Sequence, residues 1–383
     1  MLGLGYSHQA TELESSSNSR SSRAPFNDQA ALHISDGLEA YGTQSSTSGN
    51  ATVVEVFVAA LHQSNLPGPV ILIDETAERV MIGRGSQFVV YRQRMAVPEL
   101  TQFSTRTVAV KVPRFSLNPK APLRLAGAAA QKHIHDMYLE VLALTNPTIR
   151  SHPYVARLLA WSYDAYTMST PLYLVMELAE CSLRSFLQNP AEAVAHSLRY
   201  GLCRNVAAGV DVLHECGLIH GDLKADNILI FRNRKGAYVA KVADFGLSVA
   251  EAVSGIGPVS NVYIGGTLGW QAPEVEMARF IPRDLLASTD NYSFGLLTWS
   301  VVLLDGSVPP RSEQGCRSNL AREQMQTMRR ELPFDVCHDL VEAVSALLQS
   351  DPAQRPILLE PLFSNSTGYH SDMYVKNFIY RPS

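Results

Sequence analysis

No apolar run among the 383 residues reaches the roughly 18 that a membrane-spanning helix needs; "LLTWSVVLL" is among the longest. No transmembrane segment is therefore expected. Cysteine is scarce: Cys181, Cys203, Cys216, Cys316 and Cys337 form an odd, scattered set without a C-x-x-C pair. That pattern argues against a disulfide framework and for reduced, structural thiols in the cytoplasm or nucleus. Neither sign of charge dominates, the formal net charge being −4, so no nucleic-acid partner and no general pull toward anionic membranes is expected. The start, "MLGLGYSHQATELES", has neither a basic leader nor an apolar core, Gly does not follow Met1, and the end carries no Cys. Neither a secretory leader nor a terminal lipid anchor is expected from these termini.

What the chain does have is apolar residues, 46% of the total, enough for one large two-lobed domain or two ordinary ones. Residues 1–50, as in "LESSSNSRSSR" and "GTQSSTSGN", carry no sustained hydrophobic period and read as a disordered Ser-rich tail. Residues 51–74 form an N-terminal extension in which Val53, Phe57, Ala60 and Leu61 fall at helical spacing. Short β-like runs then alternate, "RVMIGRG", "QFVVYRQ", "TVAVKV", "ARLLAW" and "LYLVMEL", interrupted by a helical stretch over 123–145. From about 180 the pattern turns helical, broken by "NILIF" and "YVAKVAD". A small β-rich lobe followed by a larger helical one implies a cleft between them, where small ligands bind.

Four stretches carry chemistry. In "IGRGSQFVVY", Gly83 and Gly85 follow a strand and would let the backbone approach a phosphate chain. In "VAVK", Ala109 and Lys111 share one face of a strand, leaving room for a flat ring beside a cation. In "HGDLKADNILI", Asp222 can accept a proton from a hydroxyl or orient it, Lys224 can neutralise a phosphoryl group, and Asn227 offers a neutral oxygen to a metal. In "VADFGL", a strand ends in Asp244, a hard-oxygen ligand suited to Mg²⁺, followed by Phe245 as an anchor and Gly246 as a turn. "GTLGWQAPE" adds Thr267, within reach of the catalytic loop, and Glu274, a carboxylate suited to pairing with a distant Arg.

In this order the segments resemble a eukaryotic protein kinase of the Ser/Thr type. The resemblance covers 75–362. It implies an α+β, two-lobed kinase fold: a small β-rich lobe with one main helix over about 75–178, a larger mostly helical lobe over about 179–362, and a tail over 363–383. It also implies transfer of the γ-phosphoryl group of ATP, with Mg²⁺, to a Ser or Thr hydroxyl of a protein substrate. By the same resemblance Asp222 is the catalytic base and Lys224 contacts the phosphate. Ile82, Gly83, Arg84, Gly85, Val90, Ala109, Lys111, Met176, Glu177, Ala179 and Leu229 bind ATP, with the backbone of Glu177 and Ala179 meeting the adenine edge. Lys111 pairs with Glu140, Asn227 and Asp244 hold the metal, Asp290 is structural, and Arg355 pairs with Glu274.

The chain departs from that pattern in places. Gln87 stands where an aromatic is usual and Phe88 where the third glycine is, which implies weaker closure of the phosphate loop. Asp136, one turn before Glu140, is a rival partner for Lys111. Gly221 stands where many kinases carry the Arg that grips a phosphorylated activation loop. Phosphate on Ser248, Ser254, Ser260, Tyr263 or Thr267 is therefore expected to be dispensable. Leu183 lies where kinases of basic peptides often carry an acid. A small-molecule phosphotransferase shares "HGD" but not "DFG" followed by "GTLGWQAPE". A scaffolding pseudokinase would have lost Lys111, Asp222, Asn227 or Asp244, and all four are present. The sequence leaves the oligomeric state open.

Overall fold

The computed structural model describes residues 61, 79–85, 87–98, 103–114, 128–162, 173–190, 194–250, 264–277, 281–311, 317–327 and 334–363. The tail over 1–50, most of the 51–74 extension and residues 364–383 lie outside them; of the helical stripe over 52–63 only Leu61, buried, is within.

Five strands make the small lobe: β1 (Val80–Arg84), β2 (Phe88–Pro98), β3 (Phe103–Pro113), β4 (Leu158–Ser162) and β5 (Tyr173–Met176). They form one antiparallel sheet in the order β1-β2-β3-β5-β4. Period-two alternation decides the faces of β3. Val108, Val110 and Val112 pack with Met95, Tyr173 and Val175 on one side, while Ala109 and Lys111 turn to the other, toward the cleft. The β2–β3 hairpin is longer than the apolar runs imply, pairing without slip from Phe88 opposite Pro113 to Pro98 opposite Phe103. A main-chain ladder continues through polar residues such as those of "FSTR", which carry no hydrophobic signal.

Helix α1 (Ala128–Thr145) packs on the cleft side; Met137, Val141 and Leu144 fall on one stripe and are buried. A separate turn, α2 (Pro147–Ser151), follows at once. Asn146 caps it, its side chain accepting from the N–H groups of Thr148 and Ile149, with proline at the first position. "NPTIRSHP" is thus a capped helical turn.

The large lobe contains α3 (Leu183–Leu187), α4 (His196–Glu215), α5 (Pro273–Met277), α6 (Leu286–Leu303), α7 (Arg317–Gln326) and α8 (Phe334–Leu347). α6 is buried without interruption from Thr289 to Val302, as only a helix surrounded on all sides can be. β6 (Cys181–Ser182), β8 (Ile228–Arg232) and β9 (Tyr238–Val242) form a three-stranded sheet in the order β6-β8-β9, and β7 (Leu218–Ile219) pairs with β10 (Val249–Ala250). These short strands matter because they bracket the loops of the site. Arg355, its side chain wholly buried, reaches Glu274 with both terminal nitrogens, at 2.5 and 2.8 Å, and stacks on Tyr292. A bidentate pair of this kind fixes the end of the 264–277 segment against the lobe. The architecture is the two-lobed α+β arrangement.

Candidate active site

The cleft floor is the loop between β7 and β8. Asp222, 8% exposed, receives four hydrogen bonds: Thr267 N–H (2.9 Å) and Oγ1 (2.7 Å) on one carboxylate oxygen, Lys224 Nζ (2.5 Å) and Asn227 Nδ2 (3.0 Å) on the other. Lys224 also reaches Thr267 Oγ1 at 2.6 Å, and Asn227 Nδ2 also donates to the Asp222 carbonyl at 2.8 Å. With its amide nitrogen turned onto Asp222, Asn227 keeps its oxygen as the outward acceptor. His220 supports the loop from behind. Its Nδ1 accepts from Asp222 N–H at 3.2 Å, so the other nitrogen carries the proton and donates to the Ala243 carbonyl at 3.0 Å.

Beneath the loop lies Asp290 of α6, 1% exposed. It accepts from His220 N–H (2.7 Å), Gly221 N–H (2.9 Å) and His214 Nε2 (3.0 Å). Burial alone would raise its pKa, but the hydrogen bond and charge of His214, with His220 and the Gly221 amide, hold it below the usual carboxylate value.

The roof is β1, β2 and β3. Lys111 Nζ is in ion-pair contact with Glu140 Oε1 of α1 and lies 3.8 Å from Asp244. Burial would depress the ammonium, yet Glu140 and Asp244 beside it raise its pKa above the ordinary lysine value. Asp136 does not meet Lys111; it accepts instead from Gln87. Asp244 sits just past β9 at φ +65°, in the left-handed region that a non-glycine residue enters at a cost, with 54% of its side chain exposed. The Ala243 N–H donates to the Asn227 carbonyl at 3.0 Å, which ties the residue before Asp244 to the loop that carries Asn227.

The other sequence candidates are spread over β1, β2, β3, β5, β8 and the stretch after β5. Ala109 and Met176 are register partners on β3 and β5 and are buried; Val90 and Leu229 are half-buried; Ile82 is 49% exposed. Glu177 spends its N–H on the Arg157 carbonyl and its carboxylate on Lys241, at 2.7 and 2.8 Å. Gly83 and Gly85 differ from the other tight glycines. Among the described residues a Cβ at either would meet nothing closer than 3.7 Å, so none of their contacts demands glycine there.

At the two departures in the phosphate loop, Gln87 and Phe88 are both buried, Gln87 bonding across the cleft and Phe88 placing its ring 4.7 Å from Lys111 Nζ. Ser248, one of the candidate phosphate acceptors, is 3% exposed and donates to the His220 carbonyl, so its hydroxyl is a structural tie. Thr267 is likewise engaged, while Ser254, Ser260 and Tyr263 lie outside the described residues. His214 and Gln87 were not among the sequence-derived site residues. His214 stands in an ordinary helical stretch with nothing local to mark it, whereas Gln87 was visible only as an unusual residue.

A sequence model of the family described as protein tyrosine and serine/threonine kinase matches residues 79–360. The chain is similar to "Probable serine/threonine-protein kinase pats1" of Dictyostelium discoideum, 26% identical over 306 residues, 79% of this chain and 9% of that protein. It is 33% identical over 192 residues to "Serine/threonine-protein kinase PINK1, mitochondrial" of Homo sapiens, 48% of this chain and 32% of that protein. It is 27% identical over 243 residues to "Dual specificity protein kinase zakA" of Dictyostelium discoideum, 59% of this chain and 29% of that protein. The chain therefore spans less than a third of the length of each of these relatives. With the match running through both lobes and the cleft between them, the chain belongs to the protein kinase family.

Proposed function

We propose that the protein transfers the γ-phosphoryl group of Mg·ATP to Ser or Thr hydroxyls of a protein substrate. The observation that carries this is the meeting of two clusters in one cleft. Lys111 and Glu140 come from the small lobe, Asp222, Lys224, Asn227 and Thr267 from the large one, and Asp244 stands between them, 3.8 Å from Lys111.

The residues present fit the nucleotide. Glycines that no contact among the described residues requires leave space for something external to approach Gly83, Arg84 and Gly85. Ile82, Val90, Ala109, Met176 and Leu229 would flank the base, with the Glu177 carbonyl and Ala179 amide at its edge. Among the described residues no group of three or more His, Cys, Asp or Glu side chains could hold an ion alone. A Mg²⁺ held by Asn227 and Asp244 would thus complete its shell with phosphate oxygens and water, as this ion commonly does. When bound, the nucleotide supplies the phosphoryl group and its metal neutralises the developing charge.

The chain's own side chains account for the rest. Lys111, kept charged by its neighbours, holds phosphates. An acceptor hydroxyl must enter among the donors around Asp222, and Asp222 is the member of that cluster suited to take its proton. Lys224 balances the charge of the transferred group, and Thr267 keeps the carboxylate oriented. The choice of Ser and Thr over Tyr rests on the "DLK" order and on the names of most of the relatives above.

We further infer that activity does not need phosphate on the segment between Asp244 and Glu274. Gly221 offers no guanidinium to grip one. The described parts of the segment are already tied by Thr267 to Asp222, by Ser248 to His220 and by the pairing of β10 with β7. Reduced thiols fit a cytoplasmic or nuclear setting; burial pushes Cys203 up to about 12, which leaves it inert. One observation favours a second reading, a nucleotide-binding scaffold: the Phe88 ring beside Lys111.

Transfer of labelled phosphate from Mg·ATP to peptide libraries fixed at Ser, Thr or Tyr separates these cases. The expected label falls on Ser and Thr and vanishes with Asp222→Ala. Label on Tyr alone would refute the specificity. Equal rates in the two proteins would refute the chemistry, and binding without transfer would favour the scaffold.

A further inference from the structure

Gln87 occupies the tip of the β1–β2 turn, a place where a polar side chain ordinarily reaches into water, yet it is 5% exposed. Its Nε2 is used twice inside the protein, on Asp136 Oδ2 at 3.2 Å and on the Gly246 carbonyl at 3.0 Å. Asp136 lies one helical turn before Glu140 and on the same face of α1. Gly246 lies two residues beyond Asp244. A single carboxamide therefore spans the phosphate loop, the helix that supplies the partner of Lys111, and the turn that presents the exposed carboxylate. The contact is close: a Cβ on Gly246 would come within 2.5 Å of Gln87 Oε1. Glycine at 246 thus makes room for the amide to lie on the backbone. Beside it Phe88 enters the cleft as well, over Lys111.

We propose that Gln87 is a positioning residue for the nucleotide, clasping the loop, α1 and the turn after Asp244 into one body, so that loop closure and the alignment of Lys111 with Glu140 form and break together. This rests on the kinase reading above and adds a control within the same site. Its sign follows from what coexists. The Lys111–Glu140 contact and the 3.8 Å approach of Asp244 are present with the clasp made, so the clasp belongs to the assembled arrangement. One of its bonds goes to a carboxylate away from water, where such a bond is stronger than one between neutral groups. Without it, the tip amide returns to solvent and the loop keeps only ties within the small lobe, such as Gly85 N–H to the Phe88 carbonyl and Arg114 N–H to the Gln87 carbonyl, none of which reaches α1 or the turn after Asp244.

Gln87→Glu keeps the volume but sets a carboxylate against the Asp136 carboxylate and the Gly246 carbonyl. In calorimetric titration of the full chain with Mg·ATP, the dissociation constant is expected to rise about tenfold, the scale set by losing one charge-assisted bond. KM for ATP should rise by more than kcat falls, and Tm should drop, because two carboxylates then face each other away from water. Adding Asp136→Asn supplies an amide donor to the new carboxylate and should recover part of the lost affinity, a rescue that a merely structural role would not show. Should Gln87→Glu fold poorly, Gln87→Met removes the donors without adding charge and should raise the dissociation constant about threefold. Unchanged affinity, or no recovery in the double variant, overturns the clasp. So does tighter binding, which would make the carboxamide a plug over the phosphate site. A wild type that neither binds nor turns over Mg·ATP overturns the kinase reading and the clasp with it. Wild-type turnover with an indifferent Gln87→Glu overturns the clasp alone.

Discussion

The two faces of the cleft are held in different ways. Asp222, in the floor, receives four hydrogen bonds from three side chains and a backbone amide, and its loop is gripped again from below by Asp290. Among the described residues, the side-chain ties from the roof to α1 and to the stretch around Asp244 are Lys111 to Glu140 and Asp244, and Gln87 to Asp136 and Gly246. The floor is over-determined, so losing one group there removes chemistry and leaves position intact. The roof is sparsely tied, so losing one group there moves the others. Rigid machinery and an adjustable cover thus sit on opposite sides of the same ligand space.

The sharpest way to break this contrast is at its centre. Asp222→Ala should lower kcat by about a thousandfold, within the range that a positioned acid–base group contributes. Tm should stay near that of the wild type, because Lys224, Asn227 and Thr267 still contact one another or the backbone. A large fall in Tm would show the floor to depend on one residue. In the roof, Lys111→Met leaves Glu140, 1% exposed, without its counter-charge, and among the described residues Oε2 of that carboxylate has no hydrogen-bond partner to compensate. A loss of about 2–4 kcal/mol in denaturant unfolding is expected, along with activity. Lys111→Met with Glu140→Leu should regain most of the stability and none of the turnover.

Asp290→Asn tests the support under the floor. An amide nitrogen would face the backbone N–H groups of His220 and Gly221, at an expected cost of about 1–3 kcal/mol at neutral pH. The folded-state pKa of Asp290 is depressed, so its contribution is present above the unfolded value of about 3.9 and is lost as pH falls through and below it. The stability gap between wild type and variant should therefore close in acid below about pH 4. A gap that widens there would reverse the assignment. The smallest effect is expected from replacing Ser254, Ser260 and Tyr263 together with Ala, sparing Ser248 and Thr267. kcat/KM should stay within about threefold, the scale of ordinary surface substitutions. A collapse would mean that loop phosphate does what we assign to the backbone ties.

What the sequence revealed follows the same division. Lys111 was legible because strand alternation puts it beside Ala109 on the cleft face, and Asp222, Lys224 and Asn227 because their spacing is local. Thr267 and Glu274 were marked by their segment. The clasp was not legible, because Gln87 and Gly246 stand 159 positions apart and a neutral amide on a carbonyl leaves no pattern in either stretch. The long ends of the β2–β3 hairpin were missed for a related reason: ladder hydrogen bonds are indifferent to side-chain hydrophobicity. Ser248 was a candidate phosphate acceptor by its place in the segment, because its burial beside the strand pair is set by tertiary contact. Local chemistry could be read; long-range polar contacts could not.

The bare backbone at Gly221 bears on how this chain can change. Its φ is +75°, and the Leu247 carbonyl lies 2.6 Å from where a β carbon would be. Any larger residue there needs Leu247 to shift first, so a single substitution passes through a damaged protein before reaching a useful one. Here the two backbones have closed on each other, and a side chain fits between them only if the turn at Leu247 is rebuilt at the same time.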